Sequence, residues 1–151
     1  MRAIFGIFPL LAIPTIIYNL MAFTFGGADG LTMAQQISDP GRAVAHIPMV
    51  SEGAVWDLTS GDLLILLSLG FFFVEIIKST STGAATIANH AVSMIVFIVC
   101  LIEFLLFKNF ATSVFFVLTI MSLLDVLAGV VVTIISARRD FTVGDGGGMG
   151  R

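Results

Sequence analysis

Apolar residues run along this chain in four blocks, at roughly residues 3–25, 62–78, 86–107 and 110–136, each interrupted at helical spacing by a few polar side chains. A membrane-spanning helix needs about 17 to 25 mostly apolar residues, and each block meets that length. A helix turns by about 100° per residue, so positions three, four or seven apart share a face. In the first block that face carries Thr15, Asn19 and Ala22, and in the second Ser68, Phe72, Glu75 and Ser79. The third carries Asn89, Ser93, Cys100 and Glu103 with His90 to one side, and the fourth Ser122, Asp125, Gly129, Thr133 and Ser136. Unpaired polar groups are costly in hydrocarbon, so all these stripes are expected to turn inward. The pattern predicts an all-α polytopic membrane protein, a four-transmembrane-helix bundle forming a single membrane domain over 1–141, followed by a flexible Gly-rich tail at 142–151.

The connections refine this picture. Pro9 and Pro14 are expected to bend the first helix, and Gly129 to let the fourth approach a neighbour closely. The outer loop at 26–61 is long for a structureless connection. Leu31–Ile37 is expected to form a short helix ended by the turn signal Ser38-Asp39-Pro40-Gly41. Val44 to Trp56 is expected to lie on the membrane surface or over the mouth of the bundle, or to be a plain connector. Ser79–Ala85 reads as a Ser/Thr/Gly turn and Lys108-Asn109 as a tight hairpin. Tyr18 and Trp56 are expected at headgroup level as aromatic anchors.

Composition supports the membrane reading: 58% of residues are hydrophobic and 11% charged, against about 25% charged in soluble domains. The mean hydropathy is +1.08. The basic residues are uneven, with Arg2, Lys78, Arg138, Arg139 and Arg151 on one side of an even-spanning topology and Arg42 and Lys108 on the other. That bias predicts cytoplasmic termini. The N-terminal apolar run exceeds the 7 to 15 residues or so of a signal-peptide core and is read as a helix. Cys100 is the lone cysteine, which excludes an intramolecular disulfide and a cysteine-based metal site.

Candidate chemistry rests on the intramembrane ionisable groups. At 1.5 Å rise per residue, Glu75 and His90 lie about 5 to 6 Å from one end of their helices, level enough to pair across the turn. Asp125 lies about 18 Å in, near the midplane. Glu103 sits toward the opposite side, within reach of a snorkelling Lys108. Buried carboxylates have two readings: a site that exchanges a proton, or a protonated acid that donates one hydrogen bond and fixes helix packing. Asp125, Glu75, His90, Glu103 and Asn89 are the candidate proton or packing site. No phosphate loop, HExxH helix or nucleophile elbow occurs, so no catalytic residue, cofactor or metal ligand is expected, and His90 reads as paired rather than ligating. Arg138-Arg139 is an ordinary helix flank, not a nucleic-acid patch. The clusters Phe71-Phe72-Phe73 and Phe115-Phe116 face lipid or mark a subunit interface.

The second half of the chain resembles a group of small four-helix bacterial inner-membrane proteins without an assigned activity. The likeness runs over about residues 58–141 and is carried by Asp62-Leu63-Leu64 through Val74-Glu75, Asn89-His90 through Glu103-Phe104-Leu105-Leu106, Thr112-Ser113 with Phe115-Phe116, and Leu124-Asp125-Val126 to Ala137-Arg138-Arg139-Asp140. It implies a bacterial cytoplasmic-membrane address. The functional expectation is a non-enzymatic component of a membrane assembly, in contact with the lipid bilayer and with further copies or other membrane subunits. The alternative is an oligomeric proton-coupled transporter or channel.

Overall fold

The computed structural model describes residues 8–25, 30–79 and 84–144, with side-chain surroundings for 8–25, 30–79 and 87–135. Its helices are α1 (Ala12–Phe25), α2 (Met33–Ser38), α3 (Ser60–Ser79), α4 (Ala84–Leu106) and α5 (Ser113–Gly144). Single 3-10 turns at Pro40–Arg42 and Lys108–Phe110 and a two-stranded hairpin, β1 (Ala45–Pro48) with β2 (Val55–Leu58), complete the described chain.

Among the described residues, three segments are long and apolar enough to cross a membrane: Ser60–Ser79, Ile87–Leu106 and Ser113–Ile135. The first block gives less than expected. α1 has 14 residues, about 21 Å at helical rise against a hydrocarbon core of about 30 Å. Pro9 falls in the turn that precedes α1, where Ala12 N–H bonds Pro9 O at 3.1 Å and Ile13 N–H bonds Leu10 O at 3.0 Å. Pro14 lies in the first helical turn, where a missing N–H costs nothing, so it starts the helix instead of bending it. The rest of the block, residues 1–7, lies outside the described residues.

Helix starts are fixed by side chains. Thr32 and Gln35 form a reciprocal capping box on α2. Thr59 and Asp62 do the same for α3, with Thr59 N–H to Asp62 Oδ2 at 2.9 Å and Asp62 N–H to Thr59 Oγ1 at 3.2 Å. Thr112 caps α5 by accepting from Phe115 N–H at 3.1 Å. α5 is the central helix: half of its spanning segment is buried, against 22% for α3 and 17% for α4. It continues to Gly144, past the predicted start of the tail at 142; residues 145–151 are outside the described set.

The stripes turn inward over most of their positions, with Phe72 of α3 instead lining the outer face and Asn19, His90 and Glu103 half-buried. Thr15, Ala22, Ser68, Glu75, Ser79, Asn89, Ser93, Cys100, Ser122 and Asp125 are all buried. Thr133 is exposed, and the surroundings of Ser136 are not described. At one end of the bundle, here the Phe110 end, the core is aromatic: Tyr18 packs on Phe115 with ring centroids 4.7 Å apart, and Phe110 on Phe115 at 4.9 Å. Tyr18 is therefore no headgroup anchor. It is fully buried, because its hydroxyl finds Thr112 Oγ1 at 2.6 Å and donates to Asn109 O at 3.1 Å.

The loop forms its short helix near the predicted place, and Val44–Trp56 is not a plain connector but most of a β-hairpin. Ala45 pairs with Leu58 and Pro48 with Val55 in an antiparallel ladder. His46 Nδ1 meets Asp57 Oδ1 across the strands at 2.5 Å. Gly53 at φ +76° and the Met49 N–H to Ala54 O bond of 2.9 Å close the turn. Trp56 is 44% exposed on this hairpin.

Candidate functional site

The opposite end of the bundle, beside Lys78, holds a polar centre with contributions from four parts of the chain. Glu75, on the buried face of α3, has no exposed surface. Its carboxylate accepts from Leu10 N–H at 2.7 Å, from Asn89 Nδ2 at 2.6 Å and from Lys78 Nζ at 3.2 Å. The turn at Pro9–Leu11 makes this possible: Leu10 precedes α1, so its N–H is free to leave the helix ladder. Lys78 also donates to Asn89 Oδ1 at 3.0 Å and Phe8 O at 2.6 Å. A carboxylate with three donors, one of them cationic, is a satisfied anion.

The next layer is built differently. Asp125 is 1% exposed, and Ser93 stands beside its carboxyl. One helical turn further along α5, Gly129 faces the imidazole of His90; a β-carbon there would fall within 3.0 Å of ring atoms Nδ1, Cε1 and Cγ. The glycine thus lets α4 and α5 close on the flat ring, the close approach expected of it. Four buried polar atoms here have no hydrogen-bond partner among the described residues: His90 Nδ1, His90 Nε2, Ser93 Oγ and Asp125 Oδ1. Native interiors rarely leave such atoms unmatched, and their clustering marks the layer as distinct from the saturated Glu75 layer.

The expected Glu75–His90 pair is not formed. Asn89, one residue earlier, takes the position facing Glu75, and His90 is turned toward α5. Glu103 likewise departs from expectation: its partner is Asn19 Nδ2 at 3.1 Å, and it makes no ion pair with Lys108. That contact ties α1 to α4 near the Phe110 end, where Asn109 Nδ2 also reaches Ala22 O at 3.1 Å. Cys100 Sγ meets Thr15 Oγ1 at 3.8 Å within the hydrophobic core cluster. Lys78 and the backbone of Phe8 and Leu10 were not among the sequence candidates. A basic residue three positions after a buried glutamate was the available signal for Lys78; nothing in the sequence flagged the two backbone groups.

Chemically, the centre can hold charge and protons. Among the described residues no group of three or more His, Cys, Asp or Glu side chains is placed to hold a metal ion. Searches against protein families, curated proteins and solved structures return no match to this chain. The resemblance over residues 58–141 accordingly gains no relative to support it.

Proposed function

We propose that this chain is a non-enzymatic integral membrane protein, a packed component of a larger assembly in a bacterial cytoplasmic membrane, with both termini on the cytoplasmic side. The observation that carries the reading is how its ionisable groups are used. Glu75, Lys78 and Asn89 tie α3, α4 and the start of α1 together, and Glu103 with Asn19 ties α1 to α4. The outward faces are apolar. On α3 they form a groove of about 550 Å³ lined by Leu66, Leu69, Gly70, Phe72, Phe73 and Ile76, a shape suited to a neighbouring helix. Purification in mild detergent followed by native mass determination should return a defined complex, either several copies of this chain or this chain with fixed companions. A monomer under every mild condition would count against the proposal.

The unmatched polar atoms at His90, Ser93 and Asp125 favour a second reading, an oligomeric proton-coupled transporter or channel. Asp125→Asn keeps shape and hydrogen bonding but removes the titrating group. If pH-driven flux in reconstituted vesicles exists and disappears in that variant while the complex still assembles, transport replaces the structural reading. The packed Tyr18, Phe110, Phe115 and Leu118 side chains at the far end oppose a continuous path within one copy.

A further inference from the structure

We propose that His90, Ser93 and Asp125 bind one water molecule and one proton, held between the Asp125 carboxyl and the His90 imidazole, as a buried proton-binding centre beside the Glu75 layer. This deepens the reading of the same residues as a proton site. The first argument is hydrogen-bond accounting. Four buried polar atoms from these three side chains have no partner among the described residues. A buried water typically makes about three hydrogen bonds to such atoms. Ser93 supplies a hydroxyl that both donates and accepts, Asp125 Oδ1 accepts, and an imidazole nitrogen takes either role.

The second argument is charge counting. Among the described residues, the charged groups acting on Asp125 are Glu75 and Lys78 of α3 and His90 of α4. Glu75 is already saturated by three donors, and Lys78 at 3.2 Å is its counter-ion. That pair is neutral, which leaves Asp125 without a lysine or arginine of its own among the described residues. An uncompensated charge in a dry interior is expensive, and a single proton on the Asp125–His90 pair removes it. The proton has two positions of equal total charge: on the carboxyl with a neutral imidazole, or on the imidazole beside a carboxylate. The bridging water moves it between them, accepting one proton as it gives up another.

The two sides of the centre differ in what lies beyond it. Toward the Lys78 end, the polar Glu75–Asn89–Lys78 layer adjoins the centre. Toward the Phe110 end, the buried polar side chains of Ser122, Cys100 and Thr15 give way to the packed cluster of Leu118, Phe115, Tyr18 and Phe110. That aromatic cluster opposes passage through one copy, which suits sensing or storing a proton in an assembly component.

The chain has two histidines, His46 and His90, so a His46→Gln protein labelled with nitrogen-15 in histidine reports His90 alone. Its spectrum in lipid nanodiscs should show one ring nitrogen with a strongly hydrogen-bonded proton. Asp125→Asn in that background should convert it to an ordinary neutral ring, and Ser93→Ala should weaken the bonded signal. An Asp125→Asn spectrum identical to the parent overturns the proposal. Should Asp125→Asn fail to fold, His90→Gln serves instead: the Asp125 infrared carbonyl band should become that of an isolated carboxylic acid, and an unchanged band overturns the proposal. A signal that moves with sodium at fixed pH assigns the charge to an alkali cation and equally overturns it. None of these readouts depends on subunit number, so they fail independently of the assembly proposal.

Discussion

Glu75→Ala should destabilise the folded bundle by about 3 kcal/mol, the lower end of the cost of breaking a buried charged pair. The substitution strands three donors at once: Leu10 N–H, Asn89 Nδ2 and Lys78 Nζ. Lys78 retains Phe8 O and Asn89 Oδ1, so it is not wholly orphaned, but it loses its ion pair with Glu75. Leu10 N–H loses the contact that pins the chain before α1 against α3. In a membrane, the loosened state also finds alternative partners, which holds the cost at the lower end of the range. Glu75→Gln keeps one acceptor oxygen and should recover part of the loss. Equilibrium unfolding in detergent measures both variants. A Glu75→Ala protein within about 0.5 kcal/mol of the parent, as for an ordinary surface substitution, would show that the layer does not hold the bundle together.

The second apolar block shows how much of this was legible. Period and length alone place α3 within two residues of its observed bounds, and the stripe rule puts Ser68, Glu75 and Ser79 on its buried side. The same rule places Asp125 and Gly129 inward on α5. Periodicity gives the face of a helix but not its azimuth against a particular neighbour, so it points to a Glu75–His90 pair where Asn89 holds that position. Two adjacent residues on a helix differ by about 100°, enough to point one at α3 and the other at α5. Backbone partners are invisible to side-chain patterning, so Leu10 N–H could not be read. Tyr18 was misplaced because amphipathic aromatics are common at headgroup depth; only tertiary structure supplies the Thr112 and Asn109 partners that satisfy its hydroxyl in the core. The hairpin escaped notice because its strands have four residues each and one contains Pro48, below the length at which alternation is informative.

Gly129→Ala should force α4 and α5 apart and cost about 1–3 kcal/mol, the range for overpacking a filled interior. The added methyl would overlap His90 at Nδ1, Cε1 and Cγ, atoms of a rigid ring that cannot bend locally as the end of a long side chain can. Against this stands the gain of up to about 1 kcal/mol from replacing a helical glycine with alanine. Gly70 in α3 isolates that gain, since an added methyl there meets nothing within 4 Å. Gly70→Ala should therefore be neutral or mildly stabilising, while Gly129→Ala is destabilising. The opposite signs of two identical chemical changes separate the steric term from the propensity term. Truncating the ring tests the partner directly: in a His90→Ala background, Gly129→Ala should lose most of its cost, a coupling of about 1–2 kcal/mol in a double-mutant cycle. Additive effects in that cycle would mean that the helices are held at their spacing by contacts other than His90 on Gly129. Because Asp125 lies one turn from Gly129 on the same face, the same separation also widens the space between His90 and the carboxyl. Gly129→Ala should accordingly weaken the bonded-proton signal of His90 in step with its effect on stability.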